Sequence, residues 1–331
     1  MPGDAVFTLK NVNKKYGPKQ VLQNVSFDIN RGEVLGLIGA SGAGKTTLLH
    51  MLVGFIPSSS GDIIFKQHTR KGLKDRNVLH NQHLISKTYG FASQHPSFYE
   101  KLTVIENLHY FGGMYGQTTE TVDKNAKTLL GLMGLKSNMH LLAQHLSGGM
   151  KRRLDIACAL IHNPSILILD EPTADLDPVL RNQIWDIIKT INAKGTTVIL
   201  SSHHLNELDT LCSRIAIIKD GNLVDIDTPE KLKAKYSSVQ EIMIESFPGN
   251  YEKITKYLKG VDIHQEGTSL IIKTTSPETV ISQVLAILKK QKESLLDLKL
   301  VKPNLDNVFV EIYGKKKAKK EIAPVNTEDV A

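Results

Sequence analysis

The stretch Gly39-Ala-Ser-Gly-Ala-Gly-Lys45-Thr46 constrains the fold more than any other part of the chain. It fits the phosphate-loop pattern G-x-x-x-x-G-K-[ST]. An apolar run over 33–38 leads into it and a helical pattern over 46–53 follows, so the order is strand, loop, helix. Gly39, Gly42 and Gly44 allow backbone angles and close approaches that a Cβ would block. The loop N–H groups and the positive end of the helix then face phosphates. Lys45 would reach the β- and γ-phosphates, and the Thr46 hydroxyl would meet a divalent cation. This predicts a nucleoside triphosphate binder on an α/β sheet, without saying which kind.

The rest of the chain reads as the same architecture. Phe7, Leu9 and Val12 predict an edge strand, and Val21 to Ile29 a second strand. Between residues 97 and 163 the period is helical, with helices expected at 104–114, 121–133 and 148–161. The run 166–169 is apolar on both faces, as in a buried parallel strand. Helices at 180–192 and 205–212 alternate with strands at 196–201 and 215–218. The expectation is a RecA-like α/β core with a mostly parallel sheet, an antiparallel β arm and a helical insertion. Residues 66–87 form a long arm between strands. A boundary is expected at 236–239. Beyond it the order strand, helix, strand, strand, helix, strand is ferredoxin-like, and a last helix at 305–313 leads into a tail rich in lysine. The domains predicted are therefore 1–237, a small α+β domain at 238–314, and a basic disordered tail at 315–331.

Asp170 and Glu171 end the buried strand, where α/β folds bind ligands. Asp170 can hold a cation and Glu171 can take a proton from an attacking water. Leu146-Ser-Gly-Gly-Met150 offers a second helix N-terminus able to take an anion. One phosphate loop plus a second anion site invites a head-to-tail pair of chains.

Together these motifs resemble the ABC ATPase family over residues 5–235. The resemblance implies ATP and Mg2+ as ligands. It makes Gly39, Ser41, Gly42, Gly44, Lys45, Thr46 and Thr47 the phosphate loop, and Ser147, Gly148 and Gly149 the signature that covers a partner chain's nucleotide. It implies that Asp170, Thr46 and Gln94 serve Mg2+, and that Glu171, Gln94 and His203 serve hydrolysis. Tyr16 would stack on adenine, and Asp177 would couple two sites across a dimer. His204 is given no role. Two departures stand out: Met150 replaces the usual glutamine, and Asp175 replaces a small residue. The segment 148–154 and the ending from Val301 to Gly314 resemble exporter and antibiotic-resistance members. The implied partners are a second ATPase subunit and a separate transmembrane permease, docking near Gln94, Phe98 and Tyr99. A regulatory small-molecule role for the C-terminal domain is a further possibility.

Composition narrows this further. Hydrophobic residues make up 41% and charged residues 23%, ordinary for a water-soluble fold. No apolar run approaches the ~20 residues of a spanning helix, and the N-terminus lacks a secretory pattern. The expected location is peripheral, on the cytoplasmic face of a membrane. The net charge of +7 leaves a soluble ABC ATPase acting on nucleic acid or ribosomes as the alternative. Nucleic acid is nonetheless an unlikely partner, because there is one cassette and no sustained heptad. Cys158 and Cys212 lack metal-ligand spacing and read as buried apolar residues.

Overall fold

Alternating apolar residues build the first elements of the computed structural model, which describes residues 4–69, 72–203, 205–236, 240–258, 261–301 and 304–314. Strands β1 (Ala5–Tyr16) and β2 (Lys19–Asn30) form an antiparallel hairpin. Strand β3 (Val34–Ile38), buried at every position, leads through the glycine loop into α1 (Lys45–Leu52). Strands β4 (Ser60–Thr69) and β5 (Gly72–Asn77) then extend the first sheet to the order β2-β1-β4-β5. The sequence places β1 at an edge. It lies inside instead, because β4 pairs along it from Phe7↔Phe65 to Asn13↔Ser60. The 66–87 arm likewise contains β5 and the short α2 (Gln82–Ser86).

The second sheet takes β6 (Tyr89–Ala92), β7 (Ile166–Asp170), β8 (Thr197–Ser201), β9 (Arg214–Lys219) and β10 (Asn222–Asp227). Its order is β10-β9-β3-β8-β7-β6. All neighbours are parallel except the β9–β10 hairpin. Between β6 and β7 run α3 (Val104–Met114), α4 (Thr119–Leu132) and α5 (Gly148–Leu160). Helix α3 starts at a reciprocal cap in which Thr103 and Glu106 satisfy each other's backbone N–H. Helices α6 (Pro178–Ala193) and α7 (Leu205–Leu211) flank β8. One core joins the two sheets around Phe7, Leu9, Leu35, Leu48, Leu52 and Ile166. Both cysteines are buried, and burial raises both thiol pKa values.

The chain divides into two units after Thr228. Helix α8 (Pro229–Tyr236) therefore groups with the second unit, ahead of the boundary expected at 237. The reason is local: α8 packs against the terminal helix α11 (Leu305–Gly314). Strands β11 (Gln240–Phe247), β12 (Asp262–Glu266), β13 (Ser269–Thr274) and β14 (Ser294–Val301) form an antiparallel sheet ordered β12-β13-β11-β14. Helices α9 (Glu252–Tyr257) and α10 (Pro277–Gln291) cover it through Ile254, Val284 and Leu288. Among the described residues no helix is long and apolar enough to cross a membrane. The lysine tail at 315–331 and His204 lie outside the described residues.

Candidate functional site

The glycine loop is forced by crowding where β3 meets its neighbours. A Cβ on Gly39 would stand 2.4 Å from the Ile218 carbonyl oxygen, inside any tolerable contact. Gly44 caps α1 at φ 106, and a Cβ there would meet Leu22 Cδ2 at 2.7 Å. The loop folds over Lys45, whose ammonium donates to the Gly39 carbonyl at 2.9 Å. That ammonium also lies 3.9 Å from Glu171 Oε1.

The acidic end of β7 is organised by one hydroxyl from β8. Ser201 Oγ donates to Asp170 Oδ1 at 2.5 Å and accepts from Glu171 N–H at 2.9 Å. Asp170 is 2% exposed. Glu171 takes φ +47, a left-handed conformation that costs a non-glycine residue about 1–2 kcal/mol. Its Oε2 accepts from His203 Nδ1–H at 2.7 Å.

A cavity of about 500 Å³ opens over these groups. Ser41, Gly42, Gly44 and Lys45 to Thr47 line one side, and Gln94, Glu171 and His203 line another. Lys19 and Val21 at the start of β2 complete the wall, and the sequence reading missed both. Tyr16 is not among the lining residues. It ends β1 paired with Lys19, half-exposed, with the Lys14 ammonium 4.8 Å from its ring centroid. The turn at Gly17-Pro18 signals where β2 starts, but only the fold sets that start beside the loop.

Ser147, Gly148, Gly149 and Asp177 are not in this wall. Ser147 caps α5, accepting from Met150 N–H at 3.4 Å. Asp177 caps α6, accepting from Val179 and Leu180 N–H at 2.9 Å each. The two caps meet at Leu180, since a Cβ on Gly149 would stand 2.8 Å from Leu180 Cδ1. Arg181 donates to the Leu176 carbonyl and to Glu207 Oε1, and Trp185 Nε1–H donates to Glu207 Oε2 at 2.7 Å. The 174–177 loop is thereby tied to α7, just beyond His203. On the Gln94 side, Ser97 donates its N–H and its hydroxyl to the buried Asp155, both at 2.9 Å. Sequence reading assigned no role to Arg152 and Asp155, although a charged i,i+3 pair on an otherwise apolar helix face was visible.

Phe98 does not suit the docking role expected for it, because it is buried at 7% exposure. Tyr99 is half-exposed, its hydroxyl 3.1 Å from that of Tyr110. No group of three or more His, Cys, Asp or Glu side chains able to hold a metal ion occurs among the described residues.

A family model described as "ABC transporter" matches residues 22–174. The linearmycin resistance ATP-binding protein LnrL of Bacillus subtilis is 32% identical over 92% of this chain and 97% of its own length. The Nod factor export ATP-binding protein I of Sinorhizobium fredii is 33% identical over 94% and 87%. Among solved structures, an ATP-binding subunit of an ABC transporter superposes with TM-score 0.62 at 26% identity. It covers 70% of this chain and 93% of that one. The cbiO1 protein of Clostridium perfringens, part of the transporter complex cbiONQ, covers 70% and 92% with TM-score 0.61 at 26% identity. With relatives of this identity matching along nearly their whole length, and with a phosphate loop and two acidic residues at the head of a parallel sheet, this chain belongs to the ATP-binding, ATP-hydrolysing proteins of the ABC transporter family.

Proposed function

We propose that this chain is the motor of an exporter, working on a separate permease at the cytoplasmic face of a membrane. The observation that carries the site assignment is the meeting of Lys45, Glu171 and His203 in one cavity, with Ser147 and Gly148 exposed elsewhere. A cavity that holds one face of a nucleotide, and an exposed helix start able to take an anion, suit two chains closing on two ATP molecules. The permease and export reading draws on the relatives named for Nod factor export and linearmycin resistance.

In this reading Ser41, Gly42, Gly44, Lys45, Thr46 and Thr47 bind the phosphates, with Gly39 giving the loop its clearance. Glu171 accepts a proton from the attacking water, and His203, already bonded to Glu171, orients that carboxylate. Gln94 enters from the loop after β6. Ser147, Gly148 and Gly149 take the γ-phosphate held by the partner chain, and Asp177 fixes the neighbouring loop. Tyr16 stacks on adenine from the end of β1, paired with Lys19 of the cavity wall.

The donor set also fits Mg2+. Thr46, Gln94 and Asp170 offer a hydroxyl, an amide oxygen and a carboxylate, all hard oxygen donors. With Asp170 Oδ1 engaged by Ser201, the second carboxylate oxygen is left to serve, directly or through water. Bound there, Mg2+ supplies charge neutralisation to the phosphates. The second unit reads as a ferredoxin-like domain, which the sheet order β12-β13-β11-β14 supports.

Purified Glu171→Gln protein should bind ATP, lose turnover by about 10²–10⁴-fold, and shift from monomer to dimer when ATP is added. A variant that hydrolyses ATP at the native rate, or that stays monomeric at saturating ATP, would overturn the site and dimer assignments respectively. Affinity capture with this variant from detergent-solubilised membranes should recover a multi-span protein. Capture of ribosomes or nucleic acid alone would overturn the transporter role.

A further inference from the structure

The guanidinium of Arg152, on the signature helix α5, grips the peptide chain on both sides of Glu171. Its Nε–H donates to the Pro172 carbonyl at 2.9 Å and its Nη2–H donates to the Asp170 carbonyl at 3.1 Å. The residue between those carbonyls is Glu171, held at φ +47. The third nitrogen, Nη1, donates to the Ser93 carbonyl at 2.5 Å, one residue before Gln94, and to Asp155 Oδ2 at 3.1 Å. Four acceptors on three sides of a planar fork fix that fork, and Arg152 is 6% exposed. Asp155 supplies the opposing charge and is itself held by Ser97.

A left-handed glutamate is a conformation that its surroundings must enforce. The Ser201 hydroxyl holds the Glu171 N–H from one side, and Arg152 holds the flanking carbonyls from the other. We propose that Arg152 is the positioning residue for hydrolysis, holding the turn that aims the Glu171 carboxylate into the cavity. It does so from the helix whose first residues face a partner's nucleotide, so the signature of one site is braced against the hydrolytic glutamate of the other. The proposal rests on the assignment of Glu171 made above. A lysine here has its donors on a single nitrogen and cannot span both carbonyls while reaching Ser93.

The test uses the full chain with ATP, assayed well below each variant's melting temperature. Arg152→Lys should lower kcat at least tenfold while KM for ATP stays within threefold. Combined with Glu171→Gln it should cause no further loss beyond twofold, because it acts through that side chain. Ile161→Ala removes a fully buried side chain at the far end of α5 and touches none of these contacts, so it should melt lower and still turn over within threefold of the native rate. A native kcat in Arg152→Lys overturns the proposal. So does an additive loss in the double variant, or a tenfold loss of kcat in Ile161→Ala, since each would place the effect in general weakening of the helix. Native turnover in Glu171→Gln alone would instead overturn the assignment of the base.

Discussion

Replacing His162 with phenylalanine should remove a defined part of the chain's sensitivity to acid. His162 lies just beyond α5, 8% exposed, with its ring stacked on Tyr115 at 3.6 Å between centroids. Its Nε2 faces only the Tyr89 carbonyl at 3.0 Å, so that nitrogen carries the proton. Nδ1 is buried without a partner. Protonating it would bury a charge and an unmatched N–H, and burial lowers the His162 pKa from 6.5 to about 4. The folded pKa is depressed, so between pH 4 and 6.5 the unfolded chain binds more protons and stability falls as pH falls. At ~1.36 kcal/mol per pH unit the full loss is about 3 kcal/mol, of which about 2 kcal/mol falls between pH 7 and pH 5. Phenylalanine keeps the aromatic stack and cannot titrate, at a cost near 1 kcal/mol for the lost hydrogen bond, the same at every pH. Trp185, the one tryptophan of the chain and buried in the same unit, reports unfolding by fluorescence. Urea titrations at pH 7 and pH 5 should show the native chain losing about 2 kcal/mol more than His162→Phe over that interval. Equal losses in the two proteins would refute the argument.

Lys45→Ala should abolish tight ATP binding, read by equilibrium binding of a fluorescent ATP analogue. Retention of native affinity would remove Lys45 from the phosphate site. Gly39→Ala should destabilise the first unit by about 1–3 kcal/mol, because its Cβ meets the Ile218 carbonyl at 2.4 Å. Urea unfolding followed at Trp185 checks this. Tyr251→Phe should cost the second unit about 1–3 kcal/mol. Its buried hydroxyl donates to Thr268 O at 2.8 Å and accepts from Ser246 N–H at 2.9 Å, and calorimetry reads the loss. Glu207→Gln should shift the Trp185 emission, because the carboxylate accepting its indole N–H at 2.7 Å becomes neutral.

Local patterns in the sequence were enough for the strand-loop-helix around Lys45, for the buried strand ending in Asp170, and for the helices whose apolar period is unbroken. Helix α3 falls on the predicted span 104–114, because Thr103 before it and Gly116 just after it punctuate the backbone by themselves. The order of strands and helices in the second unit was legible for the same reason. Spacing cannot say which distant side chain answers which. Ser201 reaches back to Asp170 and Glu171, His203 bonds to Glu171, and Arg152 spans from α5 to β7 and to the loop after β6. The Ser201 and His203 contacts join segments brought together by the parallel pairing of β7 with β8, and Arg152 reaches its partners because α5 packs against β6. Antiparallel pairing with β4, far along the chain, likewise put β1 inside its sheet, and the fold buried Phe98 and gave Lys19 and Val21 a place in the cavity wall that Tyr16 does not share. The sequence by itself determined the family motifs and the candidate groups they contain. The tertiary structure decided which of them meet, because a side chain's burial and partners depend on surfaces contributed by residues far along the chain.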